Sequence, residues 1–218
     1  MWCIPTLTPE FMERMHDVLD LYQEPYTPLY PVVGIDEKPK QLLADSRTPM
    51  PMRPGRPLRY DYEYVRNGSA NIFVCVEPKH GKRITQVTAQ RTGVCFAHFI
   101  RLVVLSYPHA KKIRVVLDNL NTHKEKWVIG EFPKEEAKRI LSKLEFHYTP
   151  KHASWLNVAE LEIGALQTQC LDRRIATIGL LQEEVEACTK ARNQARKTIN
   201  WRFTNENADD WLAKHNTT

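Results

Sequence analysis

Three carboxylate residues stand where strands or helices are expected to begin or end. Asp36 follows the apolar run 32–35, Asp118 follows the apolar-rich run 113–117, and Glu160 lies at the start of a predicted helix. Acids at two strand ends and on a late helix can meet at one point of a fold although they are far apart in sequence. Converging carboxylate oxygens are the ligands that Mg²⁺ and Mn²⁺ prefer. A site that holds two such ions cuts or joins phosphodiester bonds.

Each of these acids also has an ordinary structural interpretation when it is taken alone. Asp36 is typical of a solvated carboxylate at a strand exit, Asp118 of a turn residue that caps the next segment, and Glu160 of a helix surface. Glu162 competes with Glu160, but two residues are separated by about 200° around a helix, so both cannot face the same ions. The chemical hypothesis therefore depends on three acids occurring in order on suitable elements.

The composition predicts one substantial folded domain, with room for a small appendage. The chain has 218 residues, of which 42% are hydrophobic, and a formal net charge of +5, which permits a polyanionic partner without proving one. No apolar run is long enough to span a bilayer and no signal-peptide pattern opens the chain, so we expect a soluble intracellular protein. The five cysteines form no CxxC pair, which favours reduced cysteines over a zinc ribbon or a disulfide framework.

The predicted elements follow one another as strand, hairpin, helix, strand, helix, strand and helices, after a first helix that Thr8 caps. A proline-rich stretch from Arg47 to Arg59 reads as a long extended loop. This order predicts an α/β protein with an RNase H-like mixed sheet flanked by helices. In that fold the first and fourth strands lie side by side, which would bring Asp36 close to Asp118.

Three ordered blocks of this sequence resemble the catalytic blocks of bacterial insertion-sequence transposases related to the mariner superfamily. The resemblance runs through nearly the whole chain, although Val158 stands where the family usually has proline and the stretch from Asp118 to Glu160 is longer than in animal mariner-type enzymes. Neither departure removes an acid. The matching segments are residues 33–38, continuing to 41; residues 115–119 with His123; residues 154–157 with Glu160; and residues 200–204.

The resemblance implies a DDE catalytic domain in which Asp36, Asp118 and Glu160 hold two Mg²⁺ or Mn²⁺ ions. It further implies cleavage at transposon ends and strand transfer into a target, for which mariner relatives choose TA, by a homodimer assembled on two DNA ends. The expected location is the bacterial cytoplasm, at the nucleoid when the protein is bound to DNA. Residues 1–31 would be an N-terminal helix and linker, and residues 32–218 the catalytic domain. The family's helix-turn-helix domains do not fit before Asp36, so we expect the catalytic half of a longer protein or a truncated reading frame.

Several polar residues are candidates for contact with DNA, and each has an alternative role. Asn119 and Asn157 would bond a metal-bound phosphate or orient a carboxylate, or else serve as turn and helix-cap residues. His123 would contact substrate or cap a helix. Two basic clusters would hold DNA phosphates. The first, Lys38, Lys40, Arg53, Arg56 and Arg59, would otherwise clamp a partner subunit or carry solvated charge. The second, Lys190, Arg192, Arg196, Lys197 and Arg202, lies on the last long helix and beyond it, where the spacing of 192, 196 and 202 gives a partial stripe.

Two other functions remain compatible with the sequence. One is a generic nuclease or resolvase on the same fold, which would nick DNA without strand transfer. The other is a truncated, non-catalytic DNA-binding or dimerisation module that regulates a full-length transposase. Metal-dependent cleavage distinguishes an enzyme from such a module.

Overall fold

A computed structural model describes residues 8–215, apart from the side chains of residues 211, 212, 214 and 215. Its centre is a five-stranded mixed sheet with the strand order β3-β2-β1-β4-β5. β1 pairs antiparallel with β2 and parallel with β4, and β4 pairs parallel with β5. The predicted α/β mixed sheet and its central strand pair are therefore confirmed. The strands are β1 (Val32–Asp45), β2 (Tyr64–Glu77), β3 (Lys82–Thr88), β4 (Ile113–Leu117) and β5 (Leu144–Tyr148).

Helices cover both faces of the sheet. Thr8 caps the first helix as predicted, since its hydroxyl accepts a hydrogen bond of 3.1 Å from the backbone N–H of Phe11. Short 3-10 and π-helical segments lie at Ser154–Leu156 and Gln167–Leu171. The α-helices are α1 (Pro9–Gln23), α2 (Gly93–Leu105), α3 (Glu125–Glu131), α4 (Lys134–Ser142), α5 (Ala159–Leu166), α6 (Ile178–Gln194) and α7 (Asn205–His215).

Side chains alternate between the two faces of the sheet along each strand, so the core has a part on each face. Val33 and Ile35 face a cluster that α2, α3 and α4 contribute, with Phe73 and Phe99 stacked at 5.3 Å between ring centroids. On the other face, Val116 packs with α1 and the residues before α5, and the β2 side of that face packs with α5 and α6. The two-residue period of a strand therefore decides which side chains meet α5.

The first strand is longer than the sequence predicts, because it continues through Asp36 instead of ending there. Its pairing with β2 extends to Asp45, with an irregularity between Gln41 and Leu43. Its pairing with β4 covers only Val32–Gly34. β1 and β4 thus separate just before Asp36, and Asp36 lies where this gap opens.

The loop expected between Arg47 and Arg59 is present. Backbone bridges join Met50 to Arg59 and Arg53 to Arg56, and the second closes a tight turn at Gly55, whose φ is +72°. Proline followed by glycine at the two central positions suits such a turn. The expectation of reduced cysteines also holds for the described ones, Cys75, Cys95, Cys170 and Cys188; Cys3 lies outside the described residues.

Candidate active site

Asp36 is a buried carboxylate on the face of β1 that meets α5. The residue is 8% exposed, and its Oδ1 accepts a 2.8 Å hydrogen bond from the backbone N–H of Glu37. Burial, together with the negative charges of Glu160, Asp118 and Glu37, outweighs that hydrogen bond and raises the pKa of Asp36 from 3.8 to about 7. Glu160 on α5 and Asp118 directly after β4 therefore lie close enough to Asp36 to disfavour its charged form.

Asp118 directly follows the last residue of β4, as the sequence predicts. Its side chain is 25% exposed, and its Oδ1 lies 2.5 Å from Nδ1 of His123. Because β4 ends at Leu117, strand pairing does not fix the backbone of Asp118. The His123 ring is a polar neighbour of the Asp118 side chain. This contact leaves the second carboxylate oxygen for another ligand.

Glu160 is presented by the first turn of α5, and Asn157 fixes the start of this helix against β1. The Asn157 amide donates a 2.8 Å hydrogen bond to the carbonyl oxygen of Ile35, and its Oδ1 accepts a 3.1 Å hydrogen bond from the N–H of Ala159. The side chain of Asn157 is fully buried. Asn157 thus fixes the start of the helix that carries Glu160, which agrees with its alternative role as a helix-cap residue, and contact of this buried side chain with DNA stays a prediction.

Glu162 faces the opposite way from Glu160. It is 4% exposed, lies 3.0 Å from Arg83, and accepts hydrogen bonds of 2.6 and 2.8 Å from Arg192. Arg83 is also buried, so the three charges form an internal ion group. Glu160 therefore faces Asp36, whereas Glu162 anchors α5 to β3 and α6.

The buried pair of Glu37 and His123 was missed by the sequence reasoning. The Nε2 atom of His123 lies 2.8 Å from Oε2 of Glu37, and both side chains are at most 1% exposed. Burial opposes a charge on His123, but contacts with Asp118 and Glu37 prevail and raise its pKa to about 10. His123 does not cap a helix, because α3 begins after Lys124 without a side-chain cap. Its ring is buried, and contact with DNA stays a prediction. A signal for Glu37 was present, since the strand period puts it on the apolar face with Ile35.

Two predicted phosphate contacts are instead engaged within the protein. The ammonium group of Lys40 donates hydrogen bonds of 2.6 and 3.1 Å to the carbonyl oxygens of Leu171 and Arg173. Arg192 is held by Glu162, as described above. The predicted partial stripe does not continue along one helix, because α6 ends at Gln194 and both Arg196 and Arg202 lie beyond it.

The remaining candidates for DNA contact are accessible. Lys38 is half-buried on β1, and Asn119 is exposed beside Asp118, where its Oδ1 accepts a hydrogen bond from Lys124. The others are exposed on the loop or after α6: Arg53, Arg56, Arg59, Arg196 and Lys197.

The donor set of the three acids suits divalent cations. All of its donors are carboxylate oxygens, and a cation would relieve the repulsion that raises the pKa of Asp36. Within residues 8–215, neither Asp36 nor Glu160 forms a salt bridge. No three His, Cys, Asp or Glu side chains of this range enclose a single ion. A magnesium ion held by one or two carboxylates, with water and phosphate oxygens completing its shell, does not require such a group.

A family model described as "DDE superfamily endonuclease" matches residues 31–182. The match covers more than half of the chain and includes Asp36, Asp118 and Glu160. The chain belongs to the DDE superfamily endonucleases. The family is one of endonucleases, and the mixed sheet of this chain is RNase H-like.

Solved structures similar to this DDE endonuclease include complexes of the Mos1 mariner transposase. The paired-end complex with Mn has a TM-score of 0.63 at 14% identity, and covers 100% of this chain and 66% of that chain. The strand transfer complex has a TM-score of 0.60 at 14% identity, and the match covers 98% of this chain and 64% of that chain. The paired-end complex with Mg has a TM-score of 0.57 at 14% identity, and the match covers 98% of this chain and 65% of that chain. The DDE endonuclease thus spans about 66% of the length of the first of these chains.

No curated protein sequence matches the DDE endonuclease significantly. None of the helices within residues 8–215 has the length and apolar character needed to cross a membrane.

Proposed function

We propose that this DDE endonuclease is the catalytic domain of a transposase that cleaves DNA at transposon ends and joins the ends to a target. Asp36, Asp118 and Glu160 would hold two divalent ions, Mg²⁺ or Mn²⁺. The observation that carries the proposal is the meeting of these three acids at the gap between β1 and β4, where Asp36 carries a raised pKa. The Mn and Mg complexes of the Mos1 transposase, which has a similar fold, support the same choice of ions.

Different residues of the chain have different roles in the proposed reaction. When bound, two divalent ions would lower the pKa of a water or of a 3′-hydroxyl and would stabilise the leaving oxygen. Asp36 must lose its proton before its carboxylate can bind a cation. Asn157 keeps Glu160 on the side of α5 that faces this carboxylate. Glu162 fixes the rotation of α5 through its ion group with Arg83.

DNA phosphates would contact the accessible cations of the chain. The five exposed cations Arg53, Arg56, Arg59, Arg196 and Lys197 are free of the internal hydrogen bonds that occupy Lys40 and Arg192. Lys38 and Asn119 lie within two residues of Asp36 and Asp118, so they are proposed to contact the phosphates nearest the cleaved bond. Phosphate contacts of this kind position DNA without reading its sequence.

We further propose that two copies of the chain act together on two DNA ends, at the nucleoid of a bacterial cell. The loop between β1 and β2 supports a contact between copies, because it exposes large apolar side chains next to its arginines. Met52 is 75% exposed and Tyr62 is 87% exposed, and an apolar patch of this kind marks an interaction surface. The paired-end complexes of the Mos1 transposase agree with such an assembly.

The division into residues 1–31 and 32–218 remains a proposal. α1 packs against the same core as the later elements, with Val18 and Leu19 fully buried beside Val116 and Leu156. We therefore expect truncation before residue 32 to unfold the domain, although α1 precedes the catalytic strands.

Nicking of supercoiled plasmid tests the proposed chemistry. Wild-type protein should nick with Mn²⁺ or Mg²⁺ and not in EDTA, and Asp118→Asn should abolish nicking while binding DNA normally. Asp17→Asn, at a half-exposed carboxylate on α1, is the control and should nick as wild type does. DNA binding without metal-dependent cleavage in wild type would instead favour the non-catalytic module. Strand transfer of pre-cleaved ends then separates a transposase from a generic nuclease.

A further inference from the structure

A line of polar contacts runs from the exposed Arg91 through the buried side chains of Glu37 and His123 to the partly exposed Asp118. Arg91 lies 3.4 Å from Oε1 of Glu37, whose Oε2 lies 2.8 Å from Nε2 of His123. The other ring nitrogen of His123, Nδ1, lies 2.5 Å from Oδ1 of Asp118 and 3.2 Å from its main-chain carbonyl oxygen. Both ring nitrogens of His123 are therefore engaged by acids that come from different strands.

The His123 ring is also held by packing. The centroids of the His123 and Phe96 rings lie 4.8 Å apart. The hydroxyl of Tyr148 donates a 3.0 Å hydrogen bond to the main-chain carbonyl oxygen of His123. The ring is completely buried. A ring held on both edges and on one face cannot rotate without breaking several contacts.

This rigidity matters because Asp118 itself has little support. It lies after the end of β4, its side chain is 25% exposed, and Asn119 beside it is exposed. A carboxylate in such a position would otherwise sample several rotamers. Groups that orient a metal ligand through a hydrogen bond are commonly worth 10- to 100-fold in metal affinity.

We propose that Glu37 and His123 are positioning residues that fix the carboxylate of Asp118, so that one oxygen is held by the imidazole and the other is presented toward Asp36 and Glu160. Glu37 acts only through the imidazole, and His123 acts only through Asp118. The inference rests on the proposed function, because it assigns Asp118 to cation binding.

Titration of the whole chain with Mn²⁺, followed by calorimetry, tests this inference without using activity. His123→Gln should bind Mn²⁺ about 10- to 100-fold more weakly than wild type. Glu37→Gln, which keeps an acceptor for the ring but loses the charge, should give a smaller loss of at least about threefold. His147→Gln is the matched control, because His147 also contacts two acids, Asp17 and Glu145, at 2.8 and 3.3 Å. This control should bind Mn²⁺ as wild type does.

A second readout separates positioning from a purely structural role. If His123 orients a ligand, high Mn²⁺ should restore nicking by His123→Gln, and the half-saturating Mn²⁺ concentration should rise while the maximal rate recovers. Asp118→Asn should not recover at any Mn²⁺ concentration. Should His123→Gln fail to fold, Glu37→Gln decides the matter by the same two measurements.

The outcomes also separate this inference from the function on which it rests. Unchanged Mn²⁺ affinity in folded His123→Gln or Glu37→Gln overturns the positioning role, provided that Asp118→Asn loses Mn²⁺ binding. An equal loss in His147→Gln overturns it too, since the effect would then be a general one. If Asp118→Asn binds Mn²⁺ as well as wild type does, the proposed cation site itself fails.

Discussion

Gly34 of β1 and Val158, the residue before α5, approach so closely that no side chain fits between them. A Cβ atom at position 34 would lie 2.5 Å from Cγ1 of Val158 and 3.0 Å from the backbone nitrogen of Ala159. This contact determines how near α5, and with it Glu160, lies to the strand that carries Asp36. The sequence therefore needs glycine two residues before the first acid for a packing reason.

Gly34→Ala should push α5 away from β1. We expect a loss of about 1–3 kcal/mol in the free energy of unfolding, together with slower nicking, because backbone and not only a side chain must move. Chemical denaturation measures the first effect and plasmid nicking the second. Gly164→Ala, on the same helix but with open space around its Cβ, is the control and should be neutral or stabilising by up to about 1 kcal/mol. Equal stability of Gly34→Ala and wild type would contradict this account.

Asp36→Asn should stabilise the metal-free protein in a pH-dependent manner. The raised pKa of Asp36 means that the native state binds its proton more tightly than the unfolded state does. The stabilisation from this proton is complete below about pH 4 and is lost as the pH rises through about 7. The melting temperature of Asp36→Asn should therefore equal that of wild type near pH 4 and exceed it by about 3 °C or more at pH 8.

Added Mn²⁺ should narrow this difference at pH 8, since the cation binds and stabilises the native wild type but not Asp36→Asn. Thermal melts with and without Mn²⁺ at both pH values measure the two effects. Asp45→Asn, at the far end of β1, removes a carboxylate that Arg174 contacts at 2.8 Å and should not reproduce the pattern. A constant offset between Asp36→Asn and wild type at all pH values would show that repulsion at Asp36 is not its cause.

Glu160 and Glu162 should respond in opposite ways to the same substitution. Glu160→Gln should abolish nicking and leave stability nearly unchanged, because its carboxylate is exposed. Glu162→Gln should cost roughly 2–4 kcal/mol, since it leaves the buried Arg83 without a counter-charge. Plasmid nicking and denaturation of both variants give the comparison, at a temperature where each remains folded. Loss of nicking in Glu162→Gln with unchanged stability would reverse the assignment of the two acids.

The features that the sequence predicts well are local ones. Asp118 was expected at a strand end because an apolar run of strand length directly precedes it, and the cap at Thr8 is a local arrangement of hydroxyl and proline. The length of β1 was not predictable in this way. The stretch of β1 from Glu37 to Gln41 is mostly polar, and pairing with β2 alone maintains the strand there.

Contacts between distant residues account for the errors at the site. His123 and Glu37 are 86 positions apart, and Lys40 bonds a carbonyl oxygen 131 positions away. A residue's type reports its chemical capacity but not the partner that uses it, so a lysine that binds carbonyl oxygens has the same appearance as one that binds phosphate. The internal partner of Arg192 was not predictable for the same reason, because Glu162 is brought near only when α5 packs against α6.

The basic loop and Lys40 should therefore differ in their effects on DNA. Replacing Arg53, Arg56 and Arg59 together by alanine should weaken binding to any duplex and reduce the salt slope of the affinity by up to about 3, because each phosphate contact contributes close to one. Lys40→Met should leave DNA affinity unchanged and lower stability instead, since it abandons two carbonyl oxygens. Fluorescence anisotropy at several salt concentrations, with Asp118→Asn as the background to prevent cleavage, measures both. An unchanged salt slope in the triple variant would show that the loop does not bind DNA phosphates. The loop would then serve contact between two copies of the chain, and sedimentation of the same variant would show loss of the dimer.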